Sequence, residues 1–173
     1  MNIQLLPLRE EETIAFKEEM QEAFQQGFQA HFPNEEGNNQ WQVLPDKDFY
    51  QSLNAVGAEA YEALAADGQR VGGAIIVIKA DEHRGELAFL FVKVGVQSKG
   101  IGQTIWKAIE AMHPETKIWE TCTPYFDRRN IHFYINRCGF HAVEFFNEHH
   151  PDPHMPELFD KEDGLFKFVK RMK

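Results

Sequence analysis

Apolar positions change their period along the chain, and the changes mark its elements. Ile3 to Leu8 is a short apolar-rich run interrupted by Pro7, which predicts an edge strand. Phe16, Met20, Phe24 and Phe28 then recur every fourth residue with Glu18, Glu19, Glu22 and Gln25 between them, the signature of a helix over 10–30. Pro33 closes that helix, and 33–45 reads as a polar loop carrying Trp41. Residues 46–54 predict a short helix opened by Asp46. Residues 58–66 are Ala-rich enough for a helix, but the Asp67-Gly68 turn behind them favours a strand. Val71 to Lys79 is rich in β-branched residues and reads as a strand. Asp81 to Gly85 turns the chain into Glu86–Val94, the most apolar strand and therefore the central one.

Helical spacing returns at 100–112, where Ile101, Ile105, Ala108, Ile109 and Met112 form one stripe. Lys117–Thr123 is a further strand. Residues 128–138 predict a helix with Ile131, Tyr134, Ile135 and Cys138 on one face, stopped by Gly139. His141–Phe146 and Leu165–Met172 are the last strands, separated by the polar loop 147–163. The order β-α-α-β-β-β-α-β-α-β-β specifies an α/β (α+β) domain with one mixed central sheet of six to seven strands flanked by helices.

Composition narrows the class. The 173 residues suit one domain, 1–173, and the apolar fraction of 43% suits a packed core. No apolar run approaches the ~20 residues that span a bilayer, and the acidic N-terminus does not read as a secretory signal. Two cysteines, Cys122 and Cys138, make no disulfide framework; both read as buried structural thiols, and the expected location is cytoplasmic. The net charge of −9 argues against nucleic acid as partner. Residues 1–68 hold 13 Asp/Glu against 3 Lys/Arg, so the acidity is concentrated there.

Two motifs carry candidate chemistry. Val96-Gln97-Ser98-Lys99-Gly100-Ile101-Gly102 lies between the central strand and the helix at 100–112. Glycines at a helix start let the backbone approach a ligand, and the unpaired amides and dipole of the first turn attract phosphate. Such a pair also occurs in plain turns, and it matches neither a Walker loop nor a dinucleotide fingerprint. The second motif, Asn130 to Phe140, places Asn130 and Tyr134 one helical turn apart. Read alone, it also suits a half-buried structural helix.

Together, Gln97-x-x-Gly100-x-Gly102 and Asn130-x-x-x-Tyr134-x-x-x-x-Gly139-Phe140 resemble the GNAT superfamily of acyl-CoA-dependent N-acetyltransferases. The run from Leu90 to Gly102 is similar to that superfamily's cofactor strand and loop, departing from it at Lys93-Val94-Gly95. The resemblance implies acetyl-CoA as cosubstrate and a primary amine as acceptor, with direct transfer in a ternary complex. The backbone of Val92 and Val94 would pair with pantetheine. The amides of Gln97, Ser98, Lys99, Gly100, Ile101, Gly102 and Gln103 would hold the pyrophosphate. Asn130 would contact the pantetheine side, and Tyr134 would stand near the sulfur as general acid.

An amine nucleophile must lose a proton, so a base is useful. Glu86, expected on one strand face with Ala88, Leu90 and Val92, and Glu120, in the next strand, are the candidates; water is the alternative. The acidic first segment, with Glu35, Glu36 and Trp41 nearest the pocket, favours a cationic acceptor. Glu148-His149-His150-Pro151-Asp152-Pro153-His154 fits no metal-ligand spacing and reads as a polar lid loop, so no metal is expected. A different acyl donor, a non-catalytic acyl-CoA-binding module and a homodimer through the later strands stay open.

Overall fold

The computed structural model describes residues 2–31, 43–96, 100–152 and 164–173. Among the described residues, seven strands and four α-helices follow the expected order. The strands are β1 (Ile3–Pro7), β2 (Ala58–Ala65), β3 (Arg70–Lys79), β4 (Arg84–Val92), β5 (Ile118–Pro124), β6 (His141–Phe146) and β7 (Leu165–Arg171). The helices are α1 (Thr13–His31), α2 (Asp46–Leu53), α3 (Ile101–Met112) and α4 (Arg128–His132), the last running on into a π-helical turn over Phe133–Arg137. The sheet order is β1-β2-β3-β4-β5-β7-β6, with β1 at one edge and β4 in the middle. The Ala-rich segment is a strand. Gly68 adopts φ 85°, and the Asp67 carboxylate accepts from Gln69 N at 3.0 Å, so the turn chemistry prevails over helix propensity.

Each face of the sheet has its own core. On one, α3 and α4 bury Ile105, Trp106, Ile109 and Tyr134 against Leu87, Trp119 and Phe168. On the other, α1 and α2 bury Phe16, Met20 and Phe49 against Ile75 and Phe91. The four-residue spacing of α1 is thereby explained, with Phe24 half-buried on the same core. Asp46 does not cap α2 as expected. Pro45 holds the N-cap position, and the Asp46 carboxylate accepts instead from Lys17 Nζ (3.1 Å) and Gln21 Nε2 (2.6 Å) of α1.

β4 carries a bulge. Ile75 lies opposite Phe89 and Ile76 opposite Leu87, which leaves Ala88 as an extra residue. The bulge breaks the expected alternation. Leu87, Leu90 and Val92 pack with the α3/α4 core, whereas Ala88, Phe89 and Phe91 pack with the α1/α2 core. Glu86, next to Leu87 and ahead of the bulge, therefore shares the α1/α2 face with Ala88 and not with Leu90 or Val92.

β4 and β5 are the parallel pair, and their ladder is short. Among the described residues it joins Arg84, Gly85 and Glu86 to Ile118, Trp119 and Glu120. Thr121 Oγ1 then donates to the Leu87 carbonyl at 2.8 Å. Beyond this point β4 stays with β3 as far as Val92, while β5 stays with β7 along its whole length. The two strands thus fork, and the fork opens toward the N-terminus of α3.

Candidate active site

The fork is built from backbone. From Ala88 to Val92 the β5-facing edge of β4 has no ladder partner among the described residues. Such an edge offers hydrogen-bonding groups to an extended ligand arm. Val92 ends the strand, and Val94 lies half-buried in the turn that follows. That turn is tied down by Lys93 N donating to the Val71 carbonyl (2.8 Å) and Val96 N to the Lys93 carbonyl (3.2 Å).

Gln97, Ser98 and Lys99 lie outside the described residues. Gly100 is the N-cap of α3 and adopts φ 84°, a left-handed conformation that favours glycine. A Cβ there would meet nothing within 4 Å, so the requirement is backbone conformation rather than space. Its carbonyl accepts from both Thr104 N and Thr104 Oγ1 at 2.9 Å. The amides of Ile101, Gly102 and Gln103 thus belong to the first turn, which has no intrahelical acceptors. The second glycine serves a different end: a Cβ on Gly102 would lie 3.1 Å from the Phe133 ring. Gly102 therefore lets the π turn after α4 close on α3. Gln103 Nε2 adds a bond to the Arg137 carbonyl at 2.9 Å.

Asn130 and Tyr134 have distinct settings. Asp127 caps α4, accepting from Asn130 N at 3.0 Å and from Asn130 Nδ2 at 2.8 Å. Tyr134 lies in the π turn, where Cys138 N reaches back five residues to the Phe133 carbonyl at 3.0 Å. Its ring packs against Phe140 and Phe168. Burial above all, then Cys138, pushes the Tyr134 hydroxyl well above the ordinary tyrosine value, with Thr121 acting the other way. Thr121 is the residue that bonds Leu87 at the branch of the fork, so the Tyr134 hydroxyl stands at that branch.

The two carboxylates face each other across the short ladder, on the α1/α2 side. They are not equivalent. Burial works against the charge on Glu120, but the Arg84 guanidinium, helped by Lys167 at 3.8 Å, holds its carboxyl below the ordinary value. Glu86 reaches solvent and has no ion pair or hydrogen bond among the described residues. The protein around it, then the charges of Glu120 and Asp152, push its carboxyl up, against Lys79 and Lys167. Cys122 shares this side. It is exposed rather than buried as expected, because Trp119, Thr121 and Thr123 take the inward positions of β5. Its surroundings push the thiol up to about 12, which keeps it protonated.

The loop after β6 forms a turn in which Asn147 and His150 pair. His150 stacks on Phe146 and contacts Glu144 at 3.1 Å; His149 lies 3.3 Å from Glu148. Among its described acids, Asp152 adds its negative charge near Glu86. His154, like Glu35, Glu36 and Trp41, lies outside the described residues. Several acids of the first segment are engaged away from the fork. Glu12, Glu19 and Glu62 surround Arg70, Glu62 also binds Arg9, and Glu59 meets His113.

Sequence reasoning did not find Arg84 or Thr121 as contributors: Arg84 precedes the expected strand, and Thr121 carries no motif.

The arrangement agrees with known proteins. The profile of the acetyltransferase (GNAT) family matches residues 14–140. The uncharacterized protein YrkN of Bacillus subtilis (strain 168) is 43% identical over 174 residues, covering 95% of this chain and 91% of that one. Among solved structures, a GNAT family acetyltransferase from Elizabethkingia anophelis with acetyl-CoA bound superposes with a TM-score of 0.68 at 14% identity, covering 99% of both chains. A Bacillus subtilis acetyltransferase in complex with CoA gives 0.64 at 18% identity, covering 99% of this chain and 98% of that one.

Proposed function

This chain belongs to the acetyltransferase (GNAT) family, and from that premise we propose that it moves an acetyl group from acetyl-CoA to a primary amine by direct transfer in a ternary complex. The observation that carries the reading is the fork. Supporting it are a β4 edge without a ladder partner among the described residues, the N-terminus of α3 and the buried Tyr134 hydroxyl.

The residues fit acetyl-CoA. The β4 edge at Val92 and the turn at Val94 offer backbone partners to the pantetheine arm. The amides of Gly100, Ile101, Gly102 and Gln103, with Gln97, Ser98 and Lys99 before them, offer donors and a positive helix end to the pyrophosphate. Asn130 contributes its Oδ1, because Asp127 engages its Nδ2.

In the transfer, the amine nitrogen bonds to the thioester carbonyl carbon as the C–S bond breaks. The departing thiolate takes a proton from the Tyr134 hydroxyl, and the second proton that the nitrogen sheds as the amide forms returns to Tyr134. The Tyr134 hydroxyl, whose value lies above the ordinary tyrosine one, carries its proton at neutral pH and so has one to give. The ammonium proton of the acceptor goes to Glu86, directly or through water. A raised value makes Glu86 the stronger base of the two carboxylates, while Arg84 leaves Glu120 a weak one. Glu120 then stays the ion-pair partner of Arg84.

The cationic acceptor rests on Glu86, with Asp152 as its acidic neighbour, more than on the acidic first segment, whose charges are partly neutralised by Arg9, Arg70 and Lys17. The test is release of free thiol from acetyl-CoA across a panel of amines, with the acceptor product weighed. Thiol release that depends on the amine, with one acetyl added to it, supports the reading. Acetyl-CoA binding without release under any amine would leave a binding module and overturn it.

A further inference from the structure

The β4–β5 ladder ends on a side-chain bond. Its last rung pairs Glu86 with Glu120, and the same register carried one residue further sets Leu87 opposite Thr121. There the Thr121 hydroxyl donates to the Leu87 carbonyl at 2.8 Å. Both residues are buried, so bulk water does not compete for this bond. A threonine hydroxyl has one proton to give. With that proton on Leu87, the Thr121 oxygen is left as an acceptor.

Tyr134 is brought to this point by its packing. Thr121 takes an inward position of β5, on the side of the sheet where Tyr134 lies. Phe168 connects the two. It pairs with Thr121 in the β5–β7 ladder, and its ring packs on the Tyr134 ring at 5.9 Å between centroids. Phe140 packs on that ring at 5.8 Å, and its amide donates to the Tyr134 carbonyl at 2.9 Å. Ring and backbone are thus both anchored, and the Tyr134 hydroxyl comes within hydrogen-bonding reach of Thr121.

Transfer asks this tyrosine to give up its proton in a buried setting, where an anion without a donor is costly. Resting on the acetyl-transfer reading above, we propose that Thr121 is a positioning residue for Tyr134: its hydroxyl accepts from Tyr134 while donating to Leu87, and turns onto the phenolate oxygen as Tyr134 passes its proton to the thiolate. No bond to the Thr121 oxygen forms or breaks; its hydrogen only rotates from one acceptor to the other. It turns back when Tyr134 regains a proton from the nitrogen. The hydroxyl that marks the branch of the fork thereby also aims the acid that serves the leaving sulfur.

The experiment compares Thr121→Val, which keeps the shape and loses the hydroxyl, with Thr121→Ser, which keeps the hydroxyl. Acetyl-CoA affinity is read by calorimetry. Thiol release from acetyl-CoA is followed with spermidine, tyramine and leucine amide, and the fastest amine is used throughout. Thr121→Val should lower kcat about tenfold or more, the scale of a hydrogen bond to a charged group, with the KM for acetyl-CoA little changed. Thr121→Ser should return kcat to near the parent value. In a Tyr134→Phe background Thr121→Val should lower kcat no further, because no phenolate forms there. Thr121→Ala replaces the valine variant should that one not bind acetyl-CoA. An equal fall in the Tyr134→Phe background would make Thr121 a strut of the fork and overturn the proposal, as would an unchanged kcat in a variant lacking the hydroxyl. Acetyl-CoA binding by the parent without thiol release under any amine would overturn the transfer reading and this one with it.

Discussion

Glu86 and Glu120 occupy matched positions on neighbouring strands, yet Arg84 makes one of them an ion-pair partner and leaves the other alone. Sequence spacing could not separate them, because the discriminating residue acts across the ladder. The difference is measurable. Glu86→Gln should lower kcat/KM at neutral pH by about 10²-fold and remove the acid limb of its pH profile, a limb lying above the ordinary carboxyl value of 4.5. A retained limb would assign it to another group. The stability effect has the opposite sign. A carboxyl whose value is raised on folding costs the native state more as pH climbs from 4.5 through the raised value. The melting temperature of Glu86→Gln should therefore exceed that of the parent, by a margin that grows across this window. For Tyr134→Phe the expectation is a fall in kcat of about 10²-fold or more, with the KM for acetyl-CoA little changed. An unaltered kcat would give the thiolate's proton to water.

At the scale of elements, the order and most boundaries were legible because periodicity switches cleanly between two and nearly four. The bulge at Ala88 and the π turn at Phe133–Arg137 were not. Both insert one residue without changing the hydrophobic pattern around it. The first reversed the face assigned to Leu90 and Val92 relative to Glu86; the second sits where an unbroken helix was expected. Gly100 and Gly102, read as a pair that admits a ligand, divide their labour: one sets a left-handed cap and the other admits Phe133. Gly100→Val tests the cap. A side chain at φ 84° costs about 1–2 kcal/mol, so the fold should persist with a lower melting temperature. Calorimetry should show acetyl-CoA affinity falling, because the first-turn amides lose their orientation. Unchanged affinity in the folded variant would move the pyrophosphate elsewhere.

Across the whole molecule, one sheet holds two cores apart, and its parallel junction between β4 and β5 forks beyond Glu86 and Glu120. Tyr134 and the α3 N-terminus lie toward one face, Glu86 and the α1 phenylalanines toward the other. The charge asymmetry was visible in the sequence, but its meaning was not, since ion pairs with Arg9, Lys17 and Arg70 form only on folding. The proposed direct transfer requires no acyl-enzyme and draws on orientation of the two substrates in a joint complex. Initial-rate kinetics with acetyl-CoA and the best amine both varied tests this most directly. Direct transfer predicts double-reciprocal lines that intersect; parallel lines, the mark of a covalent acyl-enzyme, would contradict it.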